Sequence, residues 1–320
     1  MIETQFADLS AQFRGAASAL LPWFEDATVT DVFINGCESL YVDTQGKTEA
    51  LPSPFRSQSE ILELIERIVT PLGKRVDAAR PYLDGVLADG SRFHLIQPPL
   101  VMPGPALSIR RFRAADSVPL ESFGNHNAIS VLRRWVSQRR NFVVGGATGA
   151  GKTTLLGRLL DEALPADRVV LIEECPEIQT RLAHVLRLVS RPPTPDGKGE
   201  VTLRDLVRNS LRMRPDRLVV GECRGPEVLD FLQAMSTGHS GCLGTVHAQS
   251  ARDVLQRLET LVALSGAGIE RSATKQWISS AVGGVVFLAR DEKGRGIREL
   301  AEVRGWEGDH FRLLPIELET

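Results

Sequence analysis

Cysteine, aromatic residues, lysine and long apolar runs are all scarce in this sequence, and neither sign of charge dominates. The four cysteines, Cys37, Cys175, Cys223 and Cys242, are scattered without paired spacing, which excludes a disulfide framework and suits a reducing compartment. Glu3, Asp8 and Arg14 interrupt the first residues, so no basic start followed by an apolar run marks a secretory signal. A spanning helix needs roughly 18 uninterrupted apolar residues; the best run, Ala281 to Ala289, is far shorter. With 38 Lys plus Arg against 40 Asp plus Glu, the net charge is -2, and no global field draws the chain to nucleic acid or an anionic membrane. The expectation is a cytoplasmic protein with no direct nucleic-acid partner, whose membrane contact is peripheral and made through another protein.

What is present is an ordinary globular composition, 42% hydrophobic and 24% charged over 320 residues. Single cores stop growing near roughly 250–300 residues, so two domains are expected. Val29–Ile34, the pair Asn35-Gly36 and Leu40–Val42 predict a hairpin. Ser57–Val69 places Ile61, Leu62, Ile65, Ile68 and Val69 at helical spacing, with Pro71 ending the helix. Short apolar runs separated by Asp84-Gly85, Asp89-Gly90 and prolines then read as strands up to Phe112. Residues 1–114 are therefore expected to form a small α/β domain and 115–126 a linker. The remainder, 127–320, begins with a helix carrying Ile129, Leu132 and Val136. Strand Phe142–Gly145, helix Thr153–Ala163 and strand Val169–Ile172 follow, a βαβ order that predicts a parallel sheet. The Pro/Gly-rich stretch Arg191–Gly199 reads as a mobile surface loop.

The chemistry concentrates in Gly146-Ala147-Thr148-Gly149-Ala150-Gly151-Lys152-Thr153, which fits G-x-x-x-x-G-K-[ST] between a predicted strand and helix. Such a loop turns backbone N–H groups around a phosphate, adds the positive end of a helix, and brings Lys152 to phosphate oxygens and Thr153 to Mg2+. Lysine is rare here, limited to Lys47, Lys74, Lys152, Lys198, Lys275 and Lys293, so its presence in the loop runs against a strong arginine bias. A second strand, Leu218–Gly221, ends in Glu222, where a Walker-B carboxylate would hold the same metal. Glu173 and Glu174 end a neighbouring strand and are candidates to orient or deprotonate the attacking water. His247 closes the strand Leu243–Val246 as a possible sensor of the γ-phosphate. His239, Cys242 and His247 fit no standard zinc spacing. Leu264-Ser265-Gly266-Ala267-Gly268 follows the Walker-B strand rather than preceding it, unlike a transporter signature. Thr274-Lys275-Gln276-Trp277 lacks the aspartate of a guanine-reading motif, which favours ATP over GTP.

These motifs, taken in order, resemble those of the secretion-superfamily ATPases, the motors of type II and type IV secretion and of type IV pili. Within that superfamily the Tad/Flp pilus-assembly (TadA/CpaF-like) branch is the best match. The resemblance runs from about Leu21 to Glu317. It rests on Val29–Gly36, Arg80-Pro81 through Gly85, Ala88–Arg92, Gly104-Pro105, Ser108–Phe112, the phosphate loop, Ile172-Glu173-Glu174 with Glu177, Leu211–Arg217, Val220–Gly225 and Thr245–Ala248.

The resemblance implies an N-terminal PAS-like α/β domain and a C-terminal RecA-like domain in a homohexameric ring. Such a ring would couple ATP hydrolysis to pilus assembly or protein secretion, working with an inner-membrane platform protein at the cytoplasmic face. It further implies that residues 146–153, with Thr154, bind nucleotide, that Thr153 and Glu222 hold Mg2+, and that Glu173, Glu222, His247 and Arg224 serve catalysis. Arg92, Arg110 and Arg111 would clamp phosphates, and Arg212 and Arg214 could act across a subunit boundary. The acidic box reads Glu-Glu where Glu-Asp is usual, which leaves Glu173, Glu174 and Glu177 all open as the group that activates water. The alternative is a type IV secretion or conjugation motor acting on DNA.

Overall fold

The computed structural model describes residues 9–44, 47–111, 118–194, 197–292 and 294–318. The chain divides into two compact units, Met1–Ala114 and Ala115–Thr320. Phe112 and residues 113–117, which include the start of the expected linker, lie outside the described residues.

In the first unit, helices α1 (Leu9–Gln12) and α2 (Leu21–Glu25) lead into strands β1 (Val29–Asn35), β2 (Ser39–Thr44) and β3 (Lys47–Leu51). Helix α3 (Gln58–Val69) and strands β4 (Tyr82–Val86), β5 (Arg92–Ile96) and β6 (Ala106–Arg110) follow. The sheet order is β3-β2-β1-β6-β5-β4, with every neighbouring pair antiparallel. The predicted hairpin forms with a longer turn than a two-residue Asn-Gly loop, because Asn35 pairs with Ser39 across Gly36, Cys37 and Glu38. Helix α3 buries Ile61, Leu64, Ile65, Ile68 and Val69 in one core with Val32, Ile34, Leu95, Leu107 and Ile109. At roughly 1.5–3 kcal/mol per large apolar side chain removed from water, that contact is what keeps α3 on the sheet.

The second unit contains α4 (His126–Ser137), β7 (Phe142–Gly146), α5 (Lys152–Asp161), β8 (Val169–Glu173), β9 (Val185–Val189), α6 (Leu203–Ser210) and β10 (Arg217–Val220). It continues with α7 (Glu227–Ser236), β11 (Leu243–His247), α8 (Ala251–Leu264), α9 (Arg271–Ala281), β12 (Gly284–Asp291), β13 (Gly294–Glu307) and β14 (His310–Pro315). The sheet order is β14-β13-β12-β7-β11-β10-β8-β9. From β12 to β9 the pairs are parallel, and β13 and β14 are added antiparallel. Strands β7, β8 and β10 are buried along their whole length, as a parallel sheet covered on both faces requires. Phe142 and Val144 face one core with α4 and α5, while Val143 faces another with α7, α8 and α9.

Neither β9 nor the β12–β14 extension was predicted as such; the apolar run Ala281–Ala289 is largely strand β12. Among the described residues no helix is long and apolar enough to cross a membrane. Arg191–Gly199, expected as a mobile surface loop, is closed at its base, where Arg191 and Val201 exchange backbone hydrogen bonds of 2.9 and 2.8 Å, while residues 195 and 196 lie outside the described residues.

Candidate active site

Parallel strands set the site by ending together. β7 delivers Gly146, β8 Glu173, β10 Glu222 just beyond its end, and β11 His247, which pairs in register with Gly146. In open α/β sheets the crevice outside the carboxyl ends of such strands is where ligands sit. The loop from Gly146 to Gly151 joins the end of buried β7 to the start of α5, where the N–H groups of a helix's first turn and the helix dipole favour an anion. Gly151 caps α5 with a left-handed φ of 96°, and a Cβ there would lie 2.8 Å from Arg295 Cδ, so the position demands glycine.

Lys152 is 7% exposed and arches over its own loop, its Nζ donating to the carbonyls of Gly146 (2.8 Å) and Ala147 (3.0 Å). Ala147 and Thr148 are exposed, Gly149, Thr153 and Thr154 half-buried and Ala150 buried. Thr153 Oγ1 donates to Glu177 Oε2 at 3.2 Å.

The three acidic-box glutamates separate by environment. Glu173 is 3% exposed and its carboxylate is turned into the protein: Oε1 accepts the N–H groups of Glu177 and Ile178, both at 2.8 Å, and Oε2 is paired with Arg187. Glu174 is exposed and its Oε2 lies 3.1 Å from Arg224 Nη1. Glu177 is the one that reaches the phosphate loop.

Arg224 bridges two carboxylates, since its Nη2 also donates to Glu222 Oε2 at 2.8 Å. That hydrogen bond is the main reason its own pKa is raised. Glu222 Oε1 lies 2.8 Å from His247 Nε2, a close contact without hydrogen-bond alignment that is an ion pair only when the imidazole is protonated. Burial alone would raise the Glu222 carboxyl. The Arg224 hydrogen bond and charge, with His247 and Lys152, outweigh it and hold the group below its ordinary value, so Glu222 is ionised at neutral pH. His247 moves down for the complementary reason: burial disfavours its cation, Lys152, Arg224 and Arg257 push the same way, and Glu222 only opposes them. Glu227, 4% exposed, fixes the turn by accepting the N–H groups of Arg224 (2.6 Å) and Gly225 (2.7 Å).

The first-unit arginines divide. Arg92 and Arg110 are cross-strand partners on β5 and β6, with Asp31 of β1 next in the same row; Arg110 is exposed and Arg92 half-buried. Arg111 is tied into its own unit, donating to the carbonyls of Phe24 and Asp26 at the end of α2, with its guanidinium 5.9 Å from the Phe24 ring centroid. In this conformation it serves the fold. Arg212 and Arg214 are exposed in the turn before β10, Arg214 with φ 52°.

Sequence reasoning missed a pocket of about 280 Å³ beside the phosphate loop, lined by Phe123, Asn125, Ala128, Arg295, Ile297 and Leu318. Phe123 and Arg295 both border Gly151, which joins the pocket to the loop. No local motif marks these residues, because they come together only when β13 folds beside the start of α4. The donor set suits a magnesium nucleotide: a helix-capped anion cradle, a buried lysine, a threonine hydroxyl and an ionised carboxylate.

Residues 16–295 match a family described as type II/IV secretion system protein. A Mycobacterium tuberculosis protein named for conjugal transfer is 39% identical over 305 residues, covering 92% of this chain and 85% of that protein. Conjugal transfer protein TrbB of Rhizobium radiobacter is 33% identical over 298 residues, 90% of this chain and 88% of its own length. The crystal structure of the VirB11 ATPase from the Brucella suis type IV secretion system, a complex with sulphate, superposes with a TM-score of 0.50 at 25% identity. It covers 90% of this chain and 93% of that one. The likeness spans both units, so the chain has the two-domain α/β architecture with a RecA-like second domain expected from its motifs.

Proposed function

The chain belongs to the type II/IV secretion system protein family, and on that premise we propose that it hydrolyses Mg2+-bound ATP to drive a transfer machine in the cell envelope. The observation that carries this reading is the meeting of the phosphate loop, the ionised Glu222 beside His247, and Glu177 at one edge of the sheet.

In this reading the N–H groups of residues 147–153 and the α5 dipole receive the phosphates. Lys152 leaves the Gly146 and Ala147 carbonyls for phosphate oxygens, a short movement for a side chain already arched over the loop. Thr153 Oγ1 and the Glu222 carboxylate would hold Mg2+, which would neutralise phosphate charge. Glu177 orients a water and accepts its proton as the water oxygen bonds to the γ-phosphorus and the bridging P–O bond breaks to release ADP. Glu173 is the poorer candidate for that role, since both its oxygens are engaged inside the fold. His247, neutral at pH 7, is suited to hydrogen-bond the γ-phosphate, and Arg224 can move its charge from Glu222 toward the leaving phosphate. Arg92 and Arg110 are proposed as phosphate contacts. The pocket at Phe123 and Arg295 would take the nucleoside.

We further propose that the working form is a homohexamer engaged with an inner-membrane platform. The Tad/Flp reading of the motifs and the conjugal-transfer names of the relatives describe one engine with different cargo. Phosphate release measured against protein concentration, with and without DNA, separates them. Specific activity that rises with concentration and ignores DNA supports an assembling secretion or pilus motor. Stimulation by DNA that fades steeply with salt supports a DNA-transfer motor. No release at any concentration would refute the ATPase reading.

A further inference from the structure

The segment between β8 and β9 has no regular secondary structure, yet it carries Glu177. Fastenings on both flanks hold it. At its start, Glu173 accepts the backbone N–H groups of Glu177 and Ile178 on one oxygen and Arg187 on the other. Arg187 projects from β9, where it lies opposite Leu171 of β8, and its Nη2 also donates to the Ile178 carbonyl at 2.7 Å. On the α5 side, Asp161 accepts the Thr180 hydroxyl (2.8 Å) and the Arg181 N–H (2.6 Å), and Arg158 donates to the Gln179 carbonyl (3.2 Å). Between these fastenings Glu177 stands 3.2 Å from Thr153 Oγ1.

The Glu173 carboxylate is 3% exposed and Arg187 is a cation paired with it. Removing that cation takes an ion pair from a buried carboxylate, which favours uptake of a proton or movement toward water. Either change weakens the two hydrogen bonds that set the backbone of Glu177. We infer that Arg187 is a positioning residue for hydrolysis, acting through Glu173 to fix where Glu177 stands relative to Thr153. The inference rests on the assignment of Glu177 to the attacking water.

The test is a double-substitution cycle in the full chain, with kcat, KM for Mg·ATP and the thermal midpoint measured for R187A, E177Q and the pair. R187A is expected to lower kcat by about 10²-fold, the cost of misplacing a group by roughly 1 Å, with KM little changed and partial recovery on adding methylguanidinium. In the E177Q background R187A should cost nothing more, because residues that act as a unit are non-additive. R187K keeps a charge at the buried carboxylate but loses the two-pronged grip, so it should keep the thermal midpoint and still lose about tenfold in kcat. It serves as the test if R187A fails to fold. An inactive E177Q beside an R187A or R187K of wild-type kcat would overturn the inference alone. So would an equal further loss from R187A in the E177Q background, which marks a merely structural residue. E177Q at wild-type kcat would overturn the Glu177 reading and this inference with it.

Discussion

Gly157→Ala sets a methyl group on α5 where the segment carrying Glu177 crosses it. An ideal Cβ at Gly157 lies 2.2 Å from the Gln179 carbonyl oxygen. Carbon–oxygen contacts normally stop near ~3.3 Å, so helix or segment must retreat by about 1 Å. Two stability effects oppose each other. Alanine gains up to ~1 kcal/mol in helix propensity, while overpacking costs ~1–3 kcal/mol. The net is a loss of up to about 2 kcal/mol. Turnover has no such compensation, because Gln179 is two residues from Glu177 and a displacement of about 1 Å at a reacting group costs about 10²-fold. Steady-state phosphate release, equilibrium binding of a fluorescent ATP analogue and urea unfolding together make the assay. The expected result is a kcat lower by about two orders of magnitude, with nucleotide affinity close to wild type and an unfolding midpoint lowered by no more than about 2 kcal/mol of stability accounts for. Wild-type turnover in a folded G157A would refute the claim that this segment positions the chemistry.

Asp167 is buried between Arg217 (2.6 Å) and Arg139, with side-chain exposures of 2% for Asp167 and 1% for Arg217. Asp167→Ala should destabilise the second unit by about 3–5 kcal/mol, since it strands a buried guanidinium. Burial raises the Asp167 carboxyl but the two arginines more than offset this, so its folded value lies below the usual 3.8. Its contribution to stability is thus full above 3.8 and is lost as pH falls through the lowered value, and acid unfolding of D167A should be flatter there. The His247 imidazole titrates below 6.5 for the reasons given above. Its neutral form stabilises the fold above 6.5, and the contribution is lost as pH falls through the lowered value; an NMR midpoint at or above 6.5 would contradict this. Arg111→Ala should cost the first unit about 1 kcal/mol by removing the donor to the half-buried Phe24 carbonyl and the exposed Asp26 carbonyl. Arg110→Ala should change stability by less than ~0.5 kcal/mol yet raise KM for ATP, a split readable by denaturation and kinetics on the two variants.

Local signals were legible where one stretch carries the whole device. The loop from Gly146 to Thr153 announces its own strand, turn and helix, and Ile61, Ile65, Ile68 and Val69 show their helical face by spacing, although Leu62, expected on the same face, is 47% exposed and Leu64 is buried in its stead. Strand ends carrying Glu222 and His247 were also visible, because a buried parallel strand reads as an apolar run that stops at its first charge. What depends on distant partners was not. Arg187 sits in Val-Leu-Arg-Leu-Val with nothing local to link it to Glu173, and only the β8–β9 register brings them together. Glu173 and Glu177 look equivalent in sequence and differ entirely in burial and partners. The same holds for Arg110 and Arg111, adjacent residues whose side chains leave opposite faces of a strand end, one exposed and one fastened to α2.

On the proposed function, ATP is cleaved at the carboxyl ends of the parallel strands with Glu177 directing the water. The most direct test is single-turnover release of γ-phosphate from bound Mg·ATP by wild type, Glu177→Gln and Lys152→Ala at matched protein concentration. The expected result is release by wild type, tight binding with release slowed by roughly 10²–10⁴-fold in E177Q, and neither productive binding nor release in K152A. Release at the wild-type rate by E177Q, or by K152A, would rule out these roles for the two side chains.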